Sequence, residues 1–269
     1  MAPPRSRQCR VDTIHGEGPT ETQTSAELFL VDTDDVLTEL RLTSGGSSIV
    51  VQREYDATKR LVSESHRTKD KDIDRHVTIA WHRGGDGHVE SVDRVVEERA
   101  AAGTSTLRKE LVTFPQRDAS GHWLRKDGQN VGAPVTRTDT REYDSAGRLA
   151  VEMSRWSETA ERPAKSAESR FTYEGSSRTA AYEEGTTADA AGQVTERVYR
   201  RFDASGRLSS ELVRPTTGRE VLRGVKYDEA GRIVEELSSV EVTHRSSYRG
   251  DCPSNLKLFE VTGADAGEG

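Results

Sequence analysis

The chain has 269 residues, 32% of them apolar and 32% charged, and its net charge is −7 at pH 7. The apolar share lies below that of a typical globular domain, which excludes a thick core and favours a long, thin sheet. The acidic balance argues against nucleic acid, which calls for a basic footprint, and no apolar run is long enough to span a membrane as a helix.

Residues 1–24 show no periodic pattern and read as a flexible N-terminal tail. Met1-Ala2-Pro3-Pro4-Arg5-Ser6 holds no apolar run. The chain is therefore expected either to have lost a secretory leader or to be cytosolic. From residue 25 to 248 the pattern is that of a β-repeat domain. Tyr55-Asp56-Ala57-Thr58-Lys59-Arg60-Leu61 is the first copy of a turn phrase. Val77, Ile79 and Trp81 then share one face of a strand, opposite Thr78 and Ala80. An echo of the phrase falls at Asp86, between His82 and His88. Residues 92–102 have a helical composition, although Val95-Val96 also suits a strand. Arg117-Asp118-Ala119-Ser120-Gly121-His122-Trp123 is a second partial copy.

Three clean copies follow: Tyr143-Asp144-Ser145-Ala146-Gly147-Arg148-Leu149, Phe202-Asp203-Ala204-Ser205-Gly206-Arg207-Leu208 and Tyr227-Asp228-Glu229-Ala230-Gly231-Arg232-Ile233. Weaker echoes fall at Glu174 and Asp189. Such repeats define the architecture before any other signal. Asp144, Asp203 and Asp228 suit the first turn position, where a carboxylate accepts hydrogen bonds from backbone N–H groups ahead of it. Gly147, Gly206 and Gly231 suit the left-handed position of a type I turn followed by a G1 bulge. Each copy is thus expected to be a β-hairpin tip, with the aromatic ending one strand and Arg-Leu opening the next. The expected fold class is all-β: antiparallel hairpin repeats forming one long, twisted or coiled sheet. Residues 249–269 form a C-terminal segment and tail.

The aromatic-Asp-x-x-Gly-Arg-Leu phrase resembles the YD repeat of Rhs-type proteins. The match is good at the three clean copies, the third of which has Ile233 in the leucine place. It is partial at 55–61, where Lys59 replaces glycine, and at 117–123, where Arg117 replaces the aromatic. The resemblance covers roughly residues 27–243 and implies an antiparallel sheet that coils on itself. In large members that sheet encloses a toxin. This chain is too short for such a shell and carries no toxin-like segment after its repeats. The resemblance therefore implies a repeat-only, non-enzymatic protein that binds a protein partner, in the manner of an immunity protein neutralising a secreted bacterial toxin. A carbohydrate-binding or cell-surface structural protein is the alternative.

Cys9 and Cys252 lie at opposite ends. Pairing them would tie the termini together and imply the periplasm or the cell exterior; two free thiols would fit a cytosolic protein. His76, His82, Asp86 and His88 are near one another in sequence, but a metal site needs three or four converging ligands, and surface histidines are the simpler expectation. Gly84, Gly85 and Gly87 are not followed by Lys-Ser/Thr, so no phosphate loop is read. No nucleophile motif is present, and no catalytic residue or cofactor is assigned. Arg249-Gly250-Asp251 spells an adhesion tripeptide, but a turn beside Cys252 explains it more simply. Alternating Arg and Glu along the strands read as cross-strand pairs on a solvated face. Trp81 and Trp123 fall on inward positions. Trp156 falls on the Ala150-Glu152-Ser154 face, opposite Leu149-Val151-Met153, and is the candidate exposed anchor for a partner.

Overall fold

A computed structural model describes residues 4–16, 22–33, 36–100, 103–131, 136–157, 164–239 and 244–253. Among them there is no helix, and eighteen strands make the fold all-β. They are β1 (Arg5–His15), β2 (Thr22–Thr33), β3 (Val36–Ser44), β4 (Ser47–Tyr55), β5 (Leu61–Lys69), β6 (Ile73–Arg83), β7 (Val89–Ala100), β8 (Ser105–Arg117) and β9 (Trp123–Asn130). There follow β10 (Arg137–Tyr143), β11 (Leu149–Trp156), β12 (Lys165–Tyr173), β13 (Ala180–Ala188), β14 (Val194–Phe202), β15 (Leu208–Pro215), β16 (Val221–Tyr227), β17 (Ile233–Ser238) and β18 (His244–Gly250). The chain divides into two compact units. The first comprises Met1–Val112, Tyr227–Val234 and His244–Gly269, and the second Thr113–Lys226 and Glu235–Thr243.

In the first unit β1 lies between β2 and β18, and β2 to β7 follow as antiparallel neighbours. Residues 5–15, expected as part of a loose tail, are therefore a sheet strand. A row of polar residues can do this because β1 has a backbone partner on both sides and buries Cys9 and Val11. Of residues 92–102, whose composition suited a helix or a strand, 92–100 belong to β7, with Val92 and Val96 inward, and 101–102 lie outside the described residues. One face of this unit carries two cross-strand rows. Cys9, Leu28, Leu42 and Ile49 make the first; Leu30, Leu40, Val51, His66, Val77 and Val96 make the second. Trp81 joins them, 6% exposed. Removing these side chains from water, at roughly 25 cal/mol per Å², is the main cohesive term of the unit.

In the second unit β9 to β16 pair in sequence, all antiparallel. Its face is mostly polar. The hairpin tips supply the order that apolar burial does not. In the clean copy at 143–149, Gly147 N–H donates to Asp144 O at 2.9 Å and Asp144 N–H donates to Arg148 O at 2.8 Å. Asp144 Oδ1 accepts from the backbone of Ala146 and Arg148, and Oδ2 from Arg148 Nε at 2.7 Å. The copies at 56, 203 and 228 repeat the Arg-to-Asp contact at 3.1, 2.7 and 2.8 Å. Aspartate and arginine are thus one device: a carboxylate closes the turn on three donors. The aromatic has its own role. Tyr143, Tyr173 and Tyr248 donate their hydroxyls to the backbone carbonyls of Trp123, Leu149 and Ile233, each the last residue of a turn phrase. Arg148 and Arg232 lie over the Tyr173 and Tyr248 rings. Each tyrosine therefore staples its own hairpin to a neighbouring one.

Gly147, Gly206 and Gly231 have φ of 72°, 78° and 80°, and Lys59 occupies the same slot at 64°. A side chain in that region is strained by roughly 1–2 kcal/mol. Lys59→Gly is accordingly expected to raise stability by about 1 kcal/mol in urea melts. Gly206→Val is expected to lower it by at least as much, because its Cβ would also come within 2.7 Å of Thr179 Cγ2. Equal melting midpoints for the wild type and both variants would refute the turn assignment.

A second irregularity follows each tip. Tyr143 pairs with Leu149, but Glu142 pairs with Val151, so Ala150 is an inserted residue. The same step occurs after Tyr55, Tyr173, Ala188 and Phe202. Each step is a β-bulge, and a bulge reverses the face count beyond it. In β11 it turns Glu152 and Ser154 toward the less exposed face and Met153 outward, at 38% exposure. The simple alternation placed them the other way round. Trp156 goes with Ser154 and is half-buried rather than exposed.

Candidate functional site

The turn phrase is the centre of a longer unit. An arginine stands two residues before the aromatic and a glutamate three after the leucine: Arg53 and Glu64, Arg141 and Glu152, Arg200 and Glu211. Each pair lies directly cross-strand. Arg141 Nε reaches Glu152 Oε2 at 3.0 Å, and Arg200 Nε reaches Glu211 Oε2 at 2.6 Å. In the second unit these pairs join into a row. Glu183 Oε1 accepts from Ser169 Oγ at 2.8 Å and from Arg200 Nη1 at 2.9 Å. Glu211 faces Arg223, which pairs with Glu236. From Glu183 to Glu236 the charges alternate, so Arg200 and Arg223 each sit between carboxylates. Burial alone would lower the affinity of Arg141 and Arg200 for their protons; Glu152 in one case, and Glu211 and Glu183 in the other, outweigh it and hold both above the ordinary arginine value. The row fixes register on a face with little apolar content.

Two buried clusters belong to the same face type. In the first unit Glu64, 1% exposed, accepts from Arg53 and faces His66 Nε2. Burial raises its pKa, but those contacts prevail and the carboxyl lies below its ordinary value. In the second unit Asp139, 0% exposed, is held by Arg137 at 2.9 Å and Lys126 at 3.1 Å. Trp123, 3% exposed, carries the guanidinium of Arg141 3.9 Å above its ring.

The opposite face of β13 to β17 in the second unit is different. Tyr199, Leu212 and Leu222 are directly cross-strand. Leu237 follows on β17, two residues from Ser239, which donates its backbone N–H to Leu222 O. Leu222 is 54% and Leu237 39% exposed. Arg201 lies over the ring of Tyr182, and Arg214 over that of Tyr199, at 5.3 and 5.6 Å from the centroids.

The remaining expected residues are placed as follows. Cys9 and Cys252 are joined in a disulfide between β1 and the residue two past β18. Gly250, at φ 85°, makes the turn that brings Cys252 back over β1; a Cβ there would collide with Gln8 O. This accounts for the Arg-Gly-Asp tripeptide as a turn. The rest of the C-terminal segment, residues 254–269, lies outside the described residues. His82 contacts Asp93 at 2.8 Å and is not joined to His88 in a ligand set. Among the described residues no three His, Cys, Asp or Glu side chains converge as a metal site would require. The arginine–glutamate pairs were visible in the sequence only as unassigned alternation; the signal that finds them is their constant separation of eleven residues around the turn.

The turn aspartates give the chain an acid limit. Burial, the largest single influence on Asp203 and Asp228, works to raise their values, yet Asp56, Asp118, Asp144, Asp203 and Asp228 all lie below the ordinary carboxylate value, because hydrogen bonds from Thr58 to Asp56, and from Arg or His side chains and the turn backbone to all five, prevail. A depressed folded-state value means that the contribution is full above the unfolded value near pH 4 and is lost as pH falls through the folded one. Melting temperature is expected to be level near neutrality and to fall below about pH 4, with a shallower fall in Asp203→Asn. An unchanged acid profile in that variant would remove Asp203 from the linkage.

No protein-family model and no curated protein matches the chain. Among solved structures it is similar to a porin-like protein from Bacteroides uniformis ATCC 8492, at 8% identity and TM-score 0.40, over 89% of this chain and 97% of that one. It is also similar to TcdB2-TccC3 without its hypervariable C-terminal region, at 11% identity and TM-score 0.21, over 84% of this chain and 20% of that one. The chain thus spans about a fifth of the latter.

Proposed function

We propose that the chain is a non-enzymatic repeat protein of the YD kind that binds a protein partner, and that it acts as an immunity-like antagonist of a secreted bacterial toxin. The observation that carries the binding reading is the exposed face of β13 to β17, where Tyr and Arg side chains stack beside an uncovered leucine row. Tyr and Arg are the residues in which interface energy concentrates. The same face disfavours the carbohydrate alternative. A sugar ring stacks on an open aromatic face, and Arg201 and Arg214 already lie over one face each of the Tyr182 and Tyr199 rings. The immunity role rests on the repeat resemblance. The Cys9–Cys252 bond supports a site of action outside the reducing cytosol.

The test is co-production of the chain with each secreted protein encoded beside it, followed by affinity isolation and a growth assay. A stoichiometric complex that relieves growth inhibition is the expected result. Substrate turnover by the isolated chain, or no complex with any of these proteins, would overturn the reading.

A further inference from the structure

We infer that the exposed face of β13 to β17 receives an extended protein segment that presents a row of apolar side chains and a carboxylate. The inference rests on the protein-binding reading above and names the partner's chemistry. It starts from the charges on this face. Arg197 is matched by Glu184 at 3.9 Å, Arg214 by Glu220 at 3.0 Å, and Lys226 by Glu235. Arg201 differs: it lies over the Tyr182 ring, its Nη2 donates to the Tyr182 hydroxyl at 3.3 Å, and it has no carboxylate among the described residues. In a chain of net charge −7, a guanidinium held in place over an aromatic ring and lacking an anion is a prepared carboxylate site. Two residues along β14 from it, Tyr199 begins the apolar row that continues through Leu212 and Leu222. The row crosses the strands, so a segment that covers it lies across them and sets its carboxylate at Arg201. Leu222 and Leu237 are the most exposed of these leucines and would lose the most water on contact.

The probe is a fluorescein-labelled twelve-residue peptide alternating leucine with glutamate, read by fluorescence anisotropy against the full chain with its disulfide intact. Its counterpart with lysine for glutamate and a labelled β-glucan oligosaccharide serve as controls. The acidic peptide is expected to bind saturably, with affinity falling at higher salt. Arg201→Glu and Leu222→Asp are each expected to weaken it at least tenfold. Both positions are exposed, and thermal melts will confirm folding. Trp156→Ala, on the other face, is expected to leave binding unchanged. Equal binding of the lysine peptide, equal binding by both surface variants, or preferential binding of the oligosaccharide would overturn the inference. The outcomes also separate the two readings. If a toxin complex forms and is indifferent to Leu222→Asp, the protein-binding reading stands and this surface is wrong. If neither protein nor peptide binds, both fail.

Discussion

Cys252→Ser is expected to lower the melting temperature by roughly 10 °C or more, the largest shift of any single change to the covalent structure. The bond joins residues 243 positions apart. In the chain-entropy model, a loop of that length restricts the unfolded chain by up to roughly 5 kcal/mol. At this chain length each kcal/mol is worth about 2–4 °C. The native state contributes little to the difference, because β1 and β18 are already paired over seven positions, from Cys9 with Gly250 to His15 with His244. The bond therefore holds two strands that the fold has brought together and acts mainly on their separation when unfolded. Cys252 is the residue to change, since Cys9 is fully buried in the apolar cluster with Leu28 and Leu42. Calorimetry of wild type and Cys252→Ser under non-reducing conditions is the measurement. A difference below about 2 °C would show that the unfolded chain is no freer without the bond.

The hairpins were legible because their chemistry is local. An Asp that accepts from the backbone N–H groups two and four residues ahead, a Gly at positive φ and an Arg that reaches back to that Asp all act within seven positions, and a repeat of that length can be read directly. Strand faces were less legible. Alternation predicts them only while the register is regular, and the residue inserted after each tip, such as Ala150, leaves no composition signal. That is why Trp156 and Met153 were assigned to the wrong faces. Strand β1 was missed for a different cause. Its pattern Arg5-Ser6-Arg7-Gln8-Cys9-Arg10 carries almost no apolar signal, and its order comes from backbone pairing on both sides, with β2 and with β18 more than 200 residues away. The apolar row on β14 to β17 could not be read at all, since Tyr199, Leu212, Leu222 and Leu237 are neighbours only after pairing. The ion pairs lie between these cases. Their partners are eleven residues apart, close enough to repeat with the turn but outside its seven-residue core.

The ion pair at Arg53 and Glu64 is where the second large effect is expected. Arg53→Met should destabilise the chain by about 3–5 kcal/mol, because it strands a charge rather than because it removes an attraction. Glu64 is 1% exposed and its cross-strand neighbour on β6 is Ile79, itself buried. With Arg53 gone, His66 is the remaining partner of the carboxylate among the described residues. The pH dependence should change with it. In the wild type the Glu64 carboxyl is depressed, so its contribution is present at neutral pH and lost as pH falls. In the variant burial is expected to raise the carboxyl above its unfolded value, which favours the folded state at low pH and penalises it as pH rises. The gap between wild type and variant should therefore narrow on acidification. Arg53→Met with Glu64→Leu removes both charges and leaves apolar side chains of similar size beside Val51, Val77 and Ile79. Replacing a buried ion pair in this way is often neutral or stabilising. The double variant is accordingly expected to recover most of what Arg53→Met loses. Urea denaturation at pH 7 and pH 5 for the three proteins decides it. If the double variant is no more stable than Arg53→Met, the cost lies in the lost packing of the arginine stem and not in a stranded carboxylate.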